Sequence, residues 1–241
     1  MIEIIQEYWK SLLWTDGYRF TGVAITLWLL ISSVVMGGIL AVFLAIGRVS
    51  SNKFIQFPIW LFTYIFRGTP LFVQILLVHF ALMPALLHPE TGLLLSGEVA
   101  HTFRQEHGAF FSGCLALSLN AGAYISEIFR AGIQSIHLGQ TQAGYSLGLT
   151  HAQSMRYVIL PQAFRRMVPA LVNEGITLIK DSSLVSAIGL AELALAARTV
   201  AGAYSRYWEP YLAISAIYLV LTLVLSTLAK RLETPAYQRG R

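Results

Sequence analysis

Charge is what this sequence has least of. Of 241 residues only 12% are Asp, Glu, Lys or Arg, against 56% hydrophobic and a mean hydropathy of +0.62. That balance excludes an ordinary soluble domain. Cysteine is limited to Cys114, which excludes an internal disulfide or a thiolate metal cluster and predicts a buried, inert thiol; no metal or cofactor is expected. A G-x4-G-K-[ST] run is missing, so the chain cannot cradle ATP phosphates in that manner and no catalytic residue is assigned. Ser118 and His79 come without a G-x-S-x-G or HExxH pattern, which leaves an intramembrane hydrolase unsupported and His79 as a packing or hydrogen-bonding residue. No internal repeat aligns, so the inverted halves of many secondary transporters find no support. The opening MIEIIQEYWKSLLWTDGYRF puts acids where a secretory signal has a basic region and lacks a cleavage site, so nothing is expected to be removed.

What is present in quantity is long apolar sequence. A run of roughly 20 residues crosses about 30 Å of hydrocarbon. The expectation is an all-α, polytopic membrane protein, one membrane domain over 1–241, with about five spans near 21–47, 70–87, 109–133, 167–193 and 209–230. Ahead of them, Ile2, Ile5, Trp9, Leu12 and Leu13 predict a segment lying on the membrane surface, with Trp9 and Trp14 at headgroup depth. Basic residues orient the chain. With the N-terminus outside, the inward segments hold Arg48, Lys53, Arg67, Arg130, Arg156, Arg165, Arg166, Lys230, Arg231, Arg239 and Arg241, and the outward ones only Lys10, Arg19, Arg104, Arg198 and Arg206. The positive-inside rule therefore predicts N-out and C-in.

Polar residues inside the spans are the candidates for function. Gly37-Gly38 in the first span would let another helix approach closely. Before the second span comes FIQFPIWLFTYIF, expected near the inner interface, then Arg67-Gly68-Thr69-Pro70: Gly68 breaks the helix, Thr69 is read as an N-cap, and Pro70 suits a first turn. Arg67 reads as structural, reaching headgroups. Asn120, Tyr124 and Glu127 share a helical face in the third span; Glu127 pairs with Arg130 locally, or Asn120 and Glu127 line a translocation path. In the fourth region an apolar run of about 13 residues, some 20 Å of helix, carries Asn173 and Glu174 and then meets Lys180, Asp181, Ser182 and Ser183. The helix must break there or bury those charges in an aqueous cavity, so Glu174, Lys180, Asp181 and Ser182 are path candidates, with structural charges as the alternative.

Between the third and fourth spans, about 138–162, lies a stretch without any acid. QTQAGYSL predicts a short helix stopped at Gly148 by a left-handed residue. Thr150 and Gln153 predict a capping box opening a second short helix that runs to VILP, where Pro161 turns the chain toward the fourth span. Such a hairpin rests on lipid or docks a partner.

The spacing of this hairpin resembles the coupling loop of ABC-importer permeases, E-A-A-x3-G-x9-I-x-L-P. Gln142-Ala143-Gly144, Gly148 and Val158-Ile159-Leu160-Pro161 stand at its positions, with Gln142 in place of the acid, Gly144 of the second alanine and Val158 of the isoleucine. FRGTPLFVQILL, AYISEIFRAGIQSI, LPQAF and LIKDSSLVSAIG are similar to the polar amino-acid branch of that family. The first 70 or so residues resemble permeases of histidine and lysine/arginine/ornithine importers, whereas KDSSL is closer to glutamine-type relatives. The resemblance implies a non-catalytic permease subunit in a bacterial inner membrane. It would form the path with an identical or homologous permease, dock a cytoplasmic ABC ATPase dimer through Gln142, Ala143, Gly144, Gly148, Val158, Leu160 and Pro161, and receive a polar, basic amino acid from an extracytoplasmic binding protein. Glu127, Glu174 and Asp181 would attract a cationic substrate. A glutamine/glutamate-type permease and an ATP-independent transporter or channel are the alternatives.

Overall fold

The computed structural model describes residues 2–48, 50, 52–88 and 90–238, with side chains from 8 to 230 within those ranges. Its helices are α1 (Ile2–Leu13), α2 (Gly22–Arg48), α3 (Lys53–Gly68), α4 (Leu71–Leu86), α5 (Gly97–Gln134), α6 (Leu138–Ser146), α7 (His151–Ser154), α8 (Leu160–Asp181), α9 (Leu193–Tyr204) and α10 (Trp208–Gln238). No β-strand occurs among the described residues, only isolated bridges. The side chains of Ile2, Ile5 and Arg231, together with Arg239 and Arg241, lie outside the described residues.

α2, α5 and the first part of α10 are long and apolar enough to cross a membrane, and α3 with α4 makes a fourth candidate that bends by 109° at its break. Two expected boundaries change. The third span begins at Gly97 rather than near Ala109, because the polar segment carrying Glu98, Arg104 and Glu106 continues the same helix. At about 1.5 Å per residue α5 is longer than the hydrocarbon is thick. The region 167–193 is not one span: α8 ends at Asp181, a 3-10 turn runs Ser182–Ile188, Gly189 takes φ +84°, and α9 starts afresh at Leu193.

α2 and α5 form the centre. Gly37 lies so close to α5 that a Cβ there would sit 3.0 Å from both Ala121 Cβ and Ser118 O, whereas Gly38 faces open space. Small residues thus let two apolar helices touch, the usual device where lipid offers no competing hydrophobic drive. Gly122 answers from α5 against Leu40. Leu29, Ala41, Ile75, Leu117, Leu178 and Val185 fill the surrounding core, with Cys114 buried among them. His79 reaches Ser112 Oγ at 3.0 Å, joining α4 to α5.

α1 does more than float. Leu12 is buried with Leu193, Ala197 and Ile214, while Trp9, Leu13 and Trp14 stay exposed. In the loop that follows, the Arg19 and Tyr18 backbone N–H groups each donate to Asp16 Oδ1 at 3.0 Å, which holds that carboxyl below its ordinary value.

Two helices contain a π-helical turn, Val78–Leu82 in α4 and Met155–Ile159 between α7 and α8, and each ends two residues before a proline, Pro84 and Pro161. A proline has no N–H and crowds the carbonyl of the preceding turn; a locally widened turn relieves both. The helix begun at His151 therefore does not stop at Leu160-Pro161 as the sequence suggests. It runs on through the π turn into α8.

The α2–α5 contact makes a prediction. Gly37→Val overpacks a closed seam and is expected to lower stability by about 1–3 kcal/mol, read as the thermal midpoint of the purified chain in detergent. Gly38→Val leaves that midpoint unchanged; equal effects at the two positions would refute the seam.

Candidate coupling hairpin and translocation face

The hairpin is held by local hydrogen bonds that its sequence specifies. His137 caps α6, its Nδ1 accepting from Gly139 N–H at 3.0 Å. Gly148 takes φ +78°, a conformation costly for any residue with a Cβ, and lets Leu149 N–H reach Gly144 O at 3.1 Å. The capping box forms in full: Gln153 N–H donates to Thr150 Oγ1 at 3.3 Å and Thr150 N–H to Gln153 Oε1 at 2.8 Å. Gly144 is buried against Ser154, whose Oγ would lie 2.7 Å from an added Cβ. The serine thus explains the glycine where the family pattern has alanine. Arg166 Nη1 donates to Ser135 O at 2.5 Å and Gln162 Nε2 to Gln140 Oε1 at 3.2 Å, tying the hairpin across its stems. Ile136, Ile159, Ala163 and Met167 bury its base, with Val158 packed on them. Outward it presents Gln142, Ala143, Tyr145, Leu147, Leu160 and Pro161; Leu147, at 81% exposure, has essentially no cover from this chain.

At the α3–α4 break the backbone is saturated by side chains from elsewhere. Thr69 is extended and closes α3, its Oγ1 donating to Ile65 O at 2.8 Å, and Pro70 precedes α4 as its N-cap. The sequence pattern suggests Thr69 as the N-cap and Pro70 as the first helical residue; both lie one position earlier relative to α4. The carbonyls freed by the break take their donors from Gln74 and Asn120: Gln74 Nε2 lies 2.8 Å from Phe66 O and 3.1 Å from Thr69 O, and Asn120 Nδ2 donates to Gln74 Oε1 at 2.9 Å. Irregular backbone at membrane depth survives only when so satisfied. Asn120 is buried in this role, and Gln74 was not singled out from sequence because nothing local marks it.

Glu127 sits among three arginines. Arg130 donates to its Oε2 from Nη2 at 2.7 Å, Arg48 from the end of α2 pairs with Oε1, and Arg67 Nη1 stands 3.7 Å away while its guanidinium covers the Tyr124 ring at 5.4 Å. The local Glu127–Arg130 pair is present, but the carboxylate also joins the ends of α2 and α3 to α5, a long-range link that no spacing reveals.

On α8 the polar residues divide between two faces. Asn173, Thr177 and Lys180 are exposed along one stripe at spacings of four and three. Glu174 instead borders an otherwise apolar crevice of about 540 Å3 with Leu30, Val34, Phe129, Leu171 and Leu225, and Asp181 is half-buried seven residues on. Ser182 is wholly buried, donating to Ile179 O at 2.7 Å. A further carboxylate, unassigned from sequence, is Glu192. Glu192, fully buried, caps α9 by accepting from Ala194 and Leu195 N–H at 2.9 and 2.8 Å, and Tyr218 Oη donates to it at 3.0 Å. An acid just before the apolar run LALAA was the available signal.

Residues 33–234 match the family described as binding-protein-dependent transport system inner membrane component. The chain belongs to this family. The permease is 49% identical over 238 residues to the histidine/lysine/arginine/ornithine transport system permease protein HisM of Salmonella typhimurium, covering 97% of this chain and 96% of that one. It is 39% identical to the arginine transport system permease protein ArtQ of Bacillus subtilis, over 88% and 89% of the two chains. A crystal structure of an amino acid ABC transporter with histidines superposes with a TM-score of 0.79 at 36% identity, over 98% of this chain and 96% of the other. This is therefore an all-α ABC-importer permease of the polar amino-acid type, and in such importers a separate ATPase hydrolyses ATP and a binding protein supplies substrate.

The break predicts a coupled pair. Gln74→Leu leaves buried carbonyls without donors and is expected to cost about 1–3 kcal/mol, measured by denaturation in detergent. The double change with Asn120→Leu costs less than the two single changes together, since both act on one network; strict additivity would contradict it.

Proposed function

We propose that this permease carries cationic amino acids inward across a bacterial inner membrane, with its N-terminus outside and its C-terminus in the cytoplasm. The observation that carries this reading is the pairing of a rigid, outward-facing apolar hairpin with near-full-length similarity to permeases named for histidine, lysine, arginine and ornithine transport. A cytoplasmic ABC ATPase dimer docks on Gln142, Ala143, Tyr145 and Leu147. Gly144 and Gly148 shape that surface, Val158 packs it onto its base, and Leu160 and Pro161 extend the exposed face where α8 begins. Gln142, exposed at the position of the family's acid, offers the ATPase a hydrogen-bonding amide in place of a charge.

A second permease, identical or homologous, closes the path against the Asn173–Thr177–Lys180 stripe, because polar groups on an intramembrane helix face protein or solute rather than lipid. Asp181, half-buried beside Lys180 at the end of α8, draws the cationic side chain, whereas Glu174 faces the apolar crevice and not the stripe. Asn120, Glu127 and Ser182, committed to internal contacts, position the walls. ATP-driven closure of the ATPases pushes on the hairpin, and its continuity with α8 through the π turn carries the displacement to the stripe. Substrate and nucleotide must bind the inward and outward states differently for this to do work.

The test is uptake of labelled arginine, histidine and glutamine into proteoliposomes holding the permease, its ATPase and its binding protein. ATP-dependent uptake of arginine and histidine, reduced about tenfold or more by Leu147→Asp as expected for a docking hot spot, supports the reading. Preferred glutamine uptake favours the glutamine-type alternative, and uptake indifferent to ATP and to Leu147 favours a secondary transporter.

A further inference from the structure

Beside the end of α2 lies a recess of about 430 Å3 lined by Arg48, Lys53, Gln56, Phe57 and Trp60. It is cationic on one side. Arg48 is engaged with Glu127, but a guanidinium carries five donors, and Glu127 is already shared with Arg67 and Arg130. Among the described residues no carboxylate pairs with Lys53, and the sequence from 17 to 89 contains no acid. The other side is aromatic: Phe57, Trp60 and Tyr64 stack in succession, with centroids 5.9 and 5.4 Å apart, and all three are exposed. Gln56 Nε2 lies 3.4 Å from Arg48 O and closes the rim.

The recess stands where a membrane surface must be. α2 is long enough to cross, Arg48 is its last residue, α3 starts at Lys53, and α3 meets α4 at 109° rather than continuing it. α3 presents Phe54, Phe57, Leu61, Tyr64 and Ile65 outward, the pattern of a helix lying in the interface. Aromatic residues sit at headgroup level and basic pockets there bind anionic headgroups.

We propose that this recess binds the phosphate headgroup of an anionic phospholipid, with Lys53 and Arg48 on the phosphate and the Phe57–Trp60–Tyr64 stack along the start of the acyl chains. An acidic soluble partner would satisfy the cations but would leave the aromatic face uncovered. The site is independent of the transported substrate and pins α3, and through Arg48 the Glu127 cluster, to the membrane surface.

Native mass spectrometry of the full chain released from mixed micelles of phosphatidylglycerol and phosphatidylcholine tests it. The wild type retains phosphatidylglycerol preferentially; Lys53→Gln lowers that preference about fivefold, the effect of one basic residue at an anionic surface, and Lys53→Arg keeps it. Arg19→Gln, an equal charge change outside the recess, leaves it intact. Equal retention of the two lipids, a loss no larger for Lys53→Gln than for Arg19→Gln, or displacement of the lipid by excess inorganic phosphate would each overturn the proposal.

Discussion

Glu127 offers one carboxylate to Arg48, Arg67 and Arg130, and the relative placement of α2, α3 and α5 depends on how it is shared. Without it, three guanidinium groups would converge near the end of the bundle with no counter-charge. With it, the end of α2 is fixed to α5, α3 is held back against the bundle, and the last turns of α5 become a firm base for α6. Arg130 extends the cluster by donating to Gln134 Oε1 at 2.6 Å, at the end of α5. Charges so placed are more exposed than a buried pair, with Arg67 and Arg130 over 40% accessible, so their value lies in geometry more than in net stabilisation.

The second constraint is backbone satisfaction. An apolar chain that breaks or bends its helices must find donors and acceptors inside itself. The Gln74–Asn120 pair does this at the α3–α4 break, Glu192 does it at the start of α9, and the π turns before Pro84 and Pro161 avoid the need by widening. The turn before Pro161 has a mechanical consequence. It makes the second arm of the hairpin, α7, and the polar stripe of α8 parts of one helical run, while α6, with Leu147 at its end, joins that run only through the Gly148 turn, so a push on the hairpin would reach α8 by way of α7.

Much of this was legible in the residues. The capping box at Thr150 and the left-handed Gly148 follow from local chemistry, the end of the α-helix at Lys180-Asp181 is one of the two outcomes that its charges allow, and the spacing from Gln142 to Pro161 points to the family shown by its relatives. What local chemistry cannot show is which distant groups meet. Gln74 and Arg48 look unremarkable in sequence because their partners are 46 and 79 residues away. The fourth region misled for a different reason: LALAA continues an apolar run, and only Gly189 and the cap at Glu192 reveal that the chain turns between two helices.

Family membership, the exposed hairpin and the continuous α7–α8 run support the proposal that this permease transmits the motion of an ATPase, with Glu127 as its proposed fixed point. The most direct measurement is the number of amino-acid molecules imported per ATP hydrolysed by the assembled transporter carrying Glu127→Gln, once thermal unfolding has shown the variant to be folded. A lowered ratio with ATP hydrolysis maintained is the predicted result, since the ATPases would turn over against a loosened base. A ratio equal to that of the wild type would contradict the account.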